Sequence, residues 1–161
     1  MAEIDRRLAG IATEYDSQMA KLELSRSLSM KPDDAWAHAS DFSTLGDWLK
    51  MHQGWRGELP DELEVGTKLV GVAGVKGMRN RVTWTVKELD APKLLAVTGE
   101  GVGGTKYGLR MIVKPTDSGC DFSVKIDLGG RPLFGPIGAT AVRLVKGDIE
   151  RSIQRFEELY A

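Results

Sequence analysis

Two histidines, one cysteine and one arginine at an apolar register are the residues of this chain whose types could do chemistry. His52 lies between Trp48 and Trp55, just beyond a predicted helix. An imidazole titrating near neutral there could serve as general base for an aldol-type cyclisation, or hydrogen-bond a ligand carbonyl. No carboxylate stands at a spacing that would orient it, and an ordinary loop histidine is the plain alternative. His38, on the preceding helix beside Asp41, reads as structural. Arg26 occupies a position where the alternation of Leu22, Leu24, Leu28 and Met30 asks for an inward apolar residue. A buried guanidinium needs a carboxylate, a route to water, or a wet cavity where it holds an anionic head group. Pairing with an acid of a neighbouring element, or a bulge that turns it outward, are the structural alternatives.

The run Gly99-Glu100-Gly101-Val102-Gly103-Gly104 has the form G-x-G-x-x-G, which lets a pyrophosphate approach a helix N-terminus. The next residues, Thr105 to Met111, have a strand pattern. No helix dipole therefore stands behind the run, and glycines that let a sheet curve are the better account. There is no G-x-S-x-G or H-E-x-x-H, and Cys120 opens a strand with no histidine close in sequence. No catalytic residue is assigned. A lone cysteine excludes an intramolecular disulfide, and two histidines beside it are too few for a Cys/His zinc site, so no cofactor is expected. Lys76, Arg79 and Arg81, with Arg56 nearby, make a basic hairpin tip around Gly77 that could contact phosphate or an acidic partner, or be a solvated turn. With Lys+Arg 22 against Asp+Glu 23 the net charge is −1, and nucleic acid is not the expected partner.

These residues must be positioned by a chain of 161 residues, 42% hydrophobic and 28% charged, enough for one domain with a real core. No apolar stretch approaches the roughly 20 residues of a membrane span, and the charges within residues 1–20 suit no signal peptide, so a cytoplasmic protein is expected. Ile4, Leu8, Ile11, Tyr15 and Met19 share one stripe of an amphipathic helix over residues 1–19, a separate extension and a candidate arm for self-association or a protein partner. A strand follows through residues 20–30, then two short helices around Ala35–Ala39 and Thr44–Leu49. Sixteen of the 19 glycines lie between Gly54 and Gly138, where six strand-like runs begin with Trp55–Leu59 and end with Phe122–Leu128. Short turns join them, so the sheet is an antiparallel meander. A proline-free stripe of Ala141, Val145, Ile149, Ile153 and Phe156 marks a long terminal helix over residues 139–160, the element able to cover the sheet.

Strand, two short helices, six antiparallel strands and a long helix together resemble the helix-grip fold of the START-like, or SRPBCC, superfamily over residues 20–161. The runs Lys76–Thr85, Gly99–Gly104, Leu128–Gly138 and Phe156–Ala161 are similar to its polyketide cyclase/dehydrase-like group, which includes an actinobacterial toxin of a type II toxin-antitoxin pair. The resemblance implies an α+β fold, with a seven-stranded curved sheet wrapped around the terminal helix and an apolar-ligand cavity between them. Trp48, Trp55, Trp84, Tyr107, Met111, Phe122, Phe134 and Val145 are then candidate lining residues, with Arg26, His52, Asn80 and Tyr107 as polar anchors. Three functions are compatible: binding of a lipid, isoprenoid or polyketide-like molecule, a cyclase/dehydrase acting in the same cavity, and a toxin with an antitoxin-like partner.

Overall fold

The computed structural model describes residues 19–75, 78–130 and 136–161. The predicted helix over residues 1–19 and the candidate Phe134 lie outside them, apart from Met19. The chain runs β1 (Ala20–Leu28), α1 (Pro32–Ala39), a 3-10 turn (Phe42–Thr44), α2 (Leu45–Trp48), β2 (His52–Arg56), β3 (Lys68–Val75), β4 (Met78–Asp90), β5 (Leu94–Gly101), β6 (Lys106–Thr116), β7 (Gly119–Gly129) and α3 (Pro136–Tyr160).

The seven strands form one antiparallel sheet in the order β1-β7-β6-β5-β4-β3-β2. Strands β2 to β7 are the expected meander, while β1 joins the far edge against β7. The segment from α1 to α2 therefore carries the chain from one sheet edge to the other. On the outer face of the β1–β7 ladder, Ser25 bonds Ser123 at 2.9 Å and Ser27 donates to Asp121 at 2.7 Å. Such cross-strand pairs fix a register that a one-residue slip would invert.

Alternation decides what faces inward: Val82, Trp84 and Val86 on β4, Leu95 and Val97 on β5, and Phe122, Val124, Ile126 and Leu128 on β7 are all buried. The stripe Ala141, Val145, Ile149, Ile153 and Phe156 of α3 lies against them. Ser152 is buried in the same stripe, where its hydroxyl donates to Asp148 O at 2.6 Å and accepts the Lys50 backbone N–H at 2.9 Å. That bond ties the exit of α2 to the middle of α3, satisfying a donor no helix would.

Two boundaries differ from expectation. The first strand of the meander is His52–Arg56 rather than Trp55–Leu59. Met51 O accepts from Gly74 N at 2.9 Å, pulling the chain onto β3 at once, and Gly54 at φ +134 supports the irregularity between His52 and Trp55. The long helix starts at Pro136, three residues early, because a proline suits a first helical turn.

Candidate functional site

The inner face of the sheet, the helical segment 42–49 and α3 bound two apolar compartments that meet at Met51, Ala73 and Tyr107. Phe42, Leu45 and Leu49 wall the first on one side, with Trp84, Val97, Leu109 and Ile126 on the other. Gly74, Met78, Leu128, Ala141 and Val145 wall the second. Among the described residues, no charged side chain lines either. Their enclosed volumes are about 20 and 80 Å³, inside about 450 and 460 Å³ of unfilled space that includes narrow crevices and the mouths. A small-molecule site is typically about 300–1,000 Å³, so a ligand larger than a few waters enters by turning side chains such as Met51, Trp84 or Tyr107 aside.

The glycine run sets the inner end. A Cβ on Gly99 would fall 2.5 Å from Val82 Cγ1 and 2.8 Å from Trp84 Cε3, and one on Gly101 would strike Asn80 Nδ2 and come within 2.9 Å of Tyr107 Cε2. Both glycines face inward, so Trp84, Asn80 and Tyr107 fold over bare backbone. Gly103 and Gly104, at φ +87 and +86, then turn the β5–β6 hairpin. Here the run is a packing recess and a turn.

Asn80 fixes the polar end. Its Oδ1 accepts from Val102 N at 3.0 Å, which orients the amide. Its Nδ2 then faces Tyr107 Oη at 3.1 Å, and Val102 O and Thr105 Oγ1 at 3.3 Å each. Tyr107 lines both compartments, while Asn80 stands one step behind it.

The mouth is aromatic. Trp55 Nε1 donates to Phe42 O at 2.7 Å, and the Trp55 ring stacks on Phe42 at 5.5 Å and meets His52 at 4.2 Å. The same three residues line a shallow outer groove with Ser43, Gly46 and Gln53, so they partition the first compartment from the surface. His52 is 9% exposed, and burial lowers its pKa from 6.5 to about 4. It is neutral at pH 7. A base this weak is poorly matched to proton abstraction at that pH, whereas a neutral imidazole can hydrogen-bond a carbonyl or hydroxyl.

The other candidates lie apart. Trp48 packs edge-on against Phe156 at 5.1 Å and Phe122 at 5.7 Å, and with Met111 these rings belong to the solid core. Arg26 keeps the inward parity but sits on an edge strand, where its guanidinium meets Glu157 of α3 at 3.0 Å with both side chains more than a third exposed. The pairing alternative describes it, and it lines neither compartment. Val145 does line the second. His38 stacks on Tyr160 at 3.9 Å, and Cys120 is buried, its thiol pushed up by desolvation and by Asp121. No described group of three His, Cys, Asp or Glu residues could hold a metal. Phe42 and Ala73 line the site without having been singled out by sequence. The one sequence signal for them is the inward series Leu69, Gly71, Ala73, whose small members leave room on β3.

The chain is 53% identical over 142 residues to the uncharacterized protein Rv1546 of Mycobacterium tuberculosis, covering 88% of this chain and 99% of that one. It is 40% identical over 143 residues to toxin Rv0910 of the same organism, covering 89% and 99%. Among solved structures, a START superfamily protein from Mycobacterium smegmatis superposes with a TM-score of 0.66 at 16% identity, over 88% of this chain and 98% of that one. The ZhuI aromatase/cyclase of Streptomyces sp. R1128 does so with a TM-score of 0.63 at 15% identity, over 87% and 90%. The curved sheet and the helix it grips are thus shared architecture, and the family model described as polyketide cyclase/dehydrase and lipid transport matches residues 19–161. The chain belongs to that family, whose fold binds hydrophobic ligands.

Proposed function

We propose that this protein binds a hydrophobic small molecule of the lipid, isoprenoid or polyketide-like class in the two adjoining compartments beneath α3, and acts in the cytoplasm. One observation carries the reading: the two compartments share Met51, Ala73 and Tyr107 as a common wall, and among the described residues no charged side chain lines either. Apolar burial supplies the affinity, at roughly 25 cal/mol per Å² removed from water. His52 at the mouth and Tyr107, held by Asn80, orient the ligand's polar atoms. Trp55, Trp84 and Val145 supply apolar contact, whereas Arg26 is engaged by Glu157 and takes no part.

The test is native mass spectrometry of protein purified from its own host, followed by denaturing extraction. A stoichiometric apolar compound, absent from an Ala73→Phe variant, is the expected result. A clean unliganded mass together with no uptake from a library of lipids and polyketides would sink the reading. Turnover of a polyketide-like substrate by the wild type, lost in His52→Ala while binding persists, would favour a cyclase/dehydrase instead.

The name of the 40% identical relative supports a second reading, that ligand binding serves a toxin. Growth arrest on induced expression, relieved by an antitoxin-like partner and abolished by Ala73→Phe, is its expected signature. Arrest that persists in Ala73→Phe would place toxicity on the surface.

A further inference from the structure

We infer that the β3–β4 and β5–β6 hairpin ends form a docking surface for an anionic lipid bilayer, across which the second compartment exchanges its ligand; this rests on the hydrophobic-ligand reading above. Met78, 44% exposed, begins β4 at one hairpin end, and Val102, 64% exposed, lies at the tip of the other. The two ends are joined, since Val102 N lies 3.2 Å from Arg81 O and 3.0 Å from Asn80 Oδ1. Two of the few large apolar side chains that the described residues leave in water therefore project from one end of the sheet. Met78 also lines the second compartment, so its exposed side chain stands at that compartment's mouth.

Cations surround this end. Arg79 and Arg81 are exposed on β4 at this end, and Arg56, set further back opposite Val70, shares with Arg79 a hollow over Val72 on the outer face. None of the three guanidinium groups makes an ion pair with a described residue. Lys106, across the ladder from Glu100, begins β6 at the same end. Apolar tips among exposed cations are the composition of a surface that rests on acidic lipid: the tips enter the acyl boundary while arginines meet head-group phosphates. Nucleic acid fits less well. Its phosphates would use the arginines but leave Met78 and Val102 in water, and Trp55, which lines the hollow with Arg56 and Arg79, is already stacked on Phe42 and His52. A bilayer uses both features and explains why the compartment opens beside them.

Flotation of the full-length protein with vesicles of phosphatidylcholine, alone or rich in phosphatidylglycerol, tests the surface. The protein is expected to float with the anionic vesicles only, and to be released by salt. Arg79→Glu/Arg81→Glu should weaken that binding on the order of thirtyfold or more, and Met78→Asp several-fold, while Lys114→Glu, at the opposite end of β6, should change it little. Circular dichroism confirms that each variant is folded. The readout needs no ligand, so Val145→Trp, which fills the second compartment, should float like the wild type even if the ligand reading fails. No flotation, flotation indifferent to the arginines, or arginine-dependent binding to single-stranded RNA without flotation would overturn the inference.

Discussion

The amide of Asn80 and the hydroxyl of Tyr107 meet at 3.1 Å although their strands, β4 and β6, are not neighbours. They bridge β5 directly above Gly101, where a Cβ would occupy the space of both. Asn80→Ala removes an amide with four partners and should cost about 1–3 kcal/mol, whereas Tyr107→Phe should cost about 0.5–1.5 kcal/mol. Gly101→Ala should exceed Tyr107→Phe because it displaces both side chains. Urea midpoints of the three variants test the ranking, and a Gly101→Ala protein as stable as wild type would refute the bridge.

His52 makes stability depend on pH. Its pKa is about 4 when folded and 6.5 when exposed, so above pH 6.5 both states are neutral and nothing is lost. Between 6.5 and about 4 the unfolded chain takes up a proton that the folded one refuses, and stability falls as pH falls, by up to about 3 kcal/mol in all. The loss should be smaller in His52→Gln over that window. Parallel denaturation curves at pH 7.5, 6 and 5 measure the difference, and equal slopes would exclude a buried neutral imidazole.

Arg26 and Glu157 should couple weakly. Both are partly exposed at 3.0 Å, so a double-mutant cycle with Arg26→Ala and Glu157→Ala is expected to give less than about 1 kcal/mol, diminishing with salt. Ligand uptake by Arg26→Ala should match wild type. A large fall in uptake would return the arginine to the role of head-group anchor.

Ala73 touches both compartments and Val145 only the second. Ala73→Phe should block binding entirely, whereas Val145→Trp should spare ligands short enough for the first compartment alone. Each overpacks at a cost of about 1–3 kcal/mol, small enough for thermal melts to confirm folded protein before fluorescent-lipid titration. Equal binding by both variants would mean that the ligand sits elsewhere.

The fold is legible in the sequence because its signals are local and periodic. Alternation in Val82-Thr83-Trp84-Thr85-Val86 and the four- and three-residue spacing of α3 each specify one buried face, and the turns between runs leave little choice but a meander. The cavity is legible only in part. Trp48, Phe122 and Trp84 are equivalent as large apolar residues on inward positions, and which of them border a void depends on what packs opposite. Ser152 interrupts an apolar stripe for a reason that lies a hundred residues away, at the backbone of Lys50. Met51 and His52 read as loop in the sequence because the bond that draws them onto the sheet comes from Gly74.

The aromatic partition at the mouth acts on time as well as on affinity. Phe42, Trp55 and His52 must part for a molecule to pass between the outer groove and the first compartment, and the Trp55 Nε1 bond to Phe42 O is the tether holding them. Weakening it, as in Trp55→Phe, lowers the same barrier for loading and unloading. Loading and unloading through this mouth would quicken together, a change of rates that the loss of one indole contact would not by itself produce.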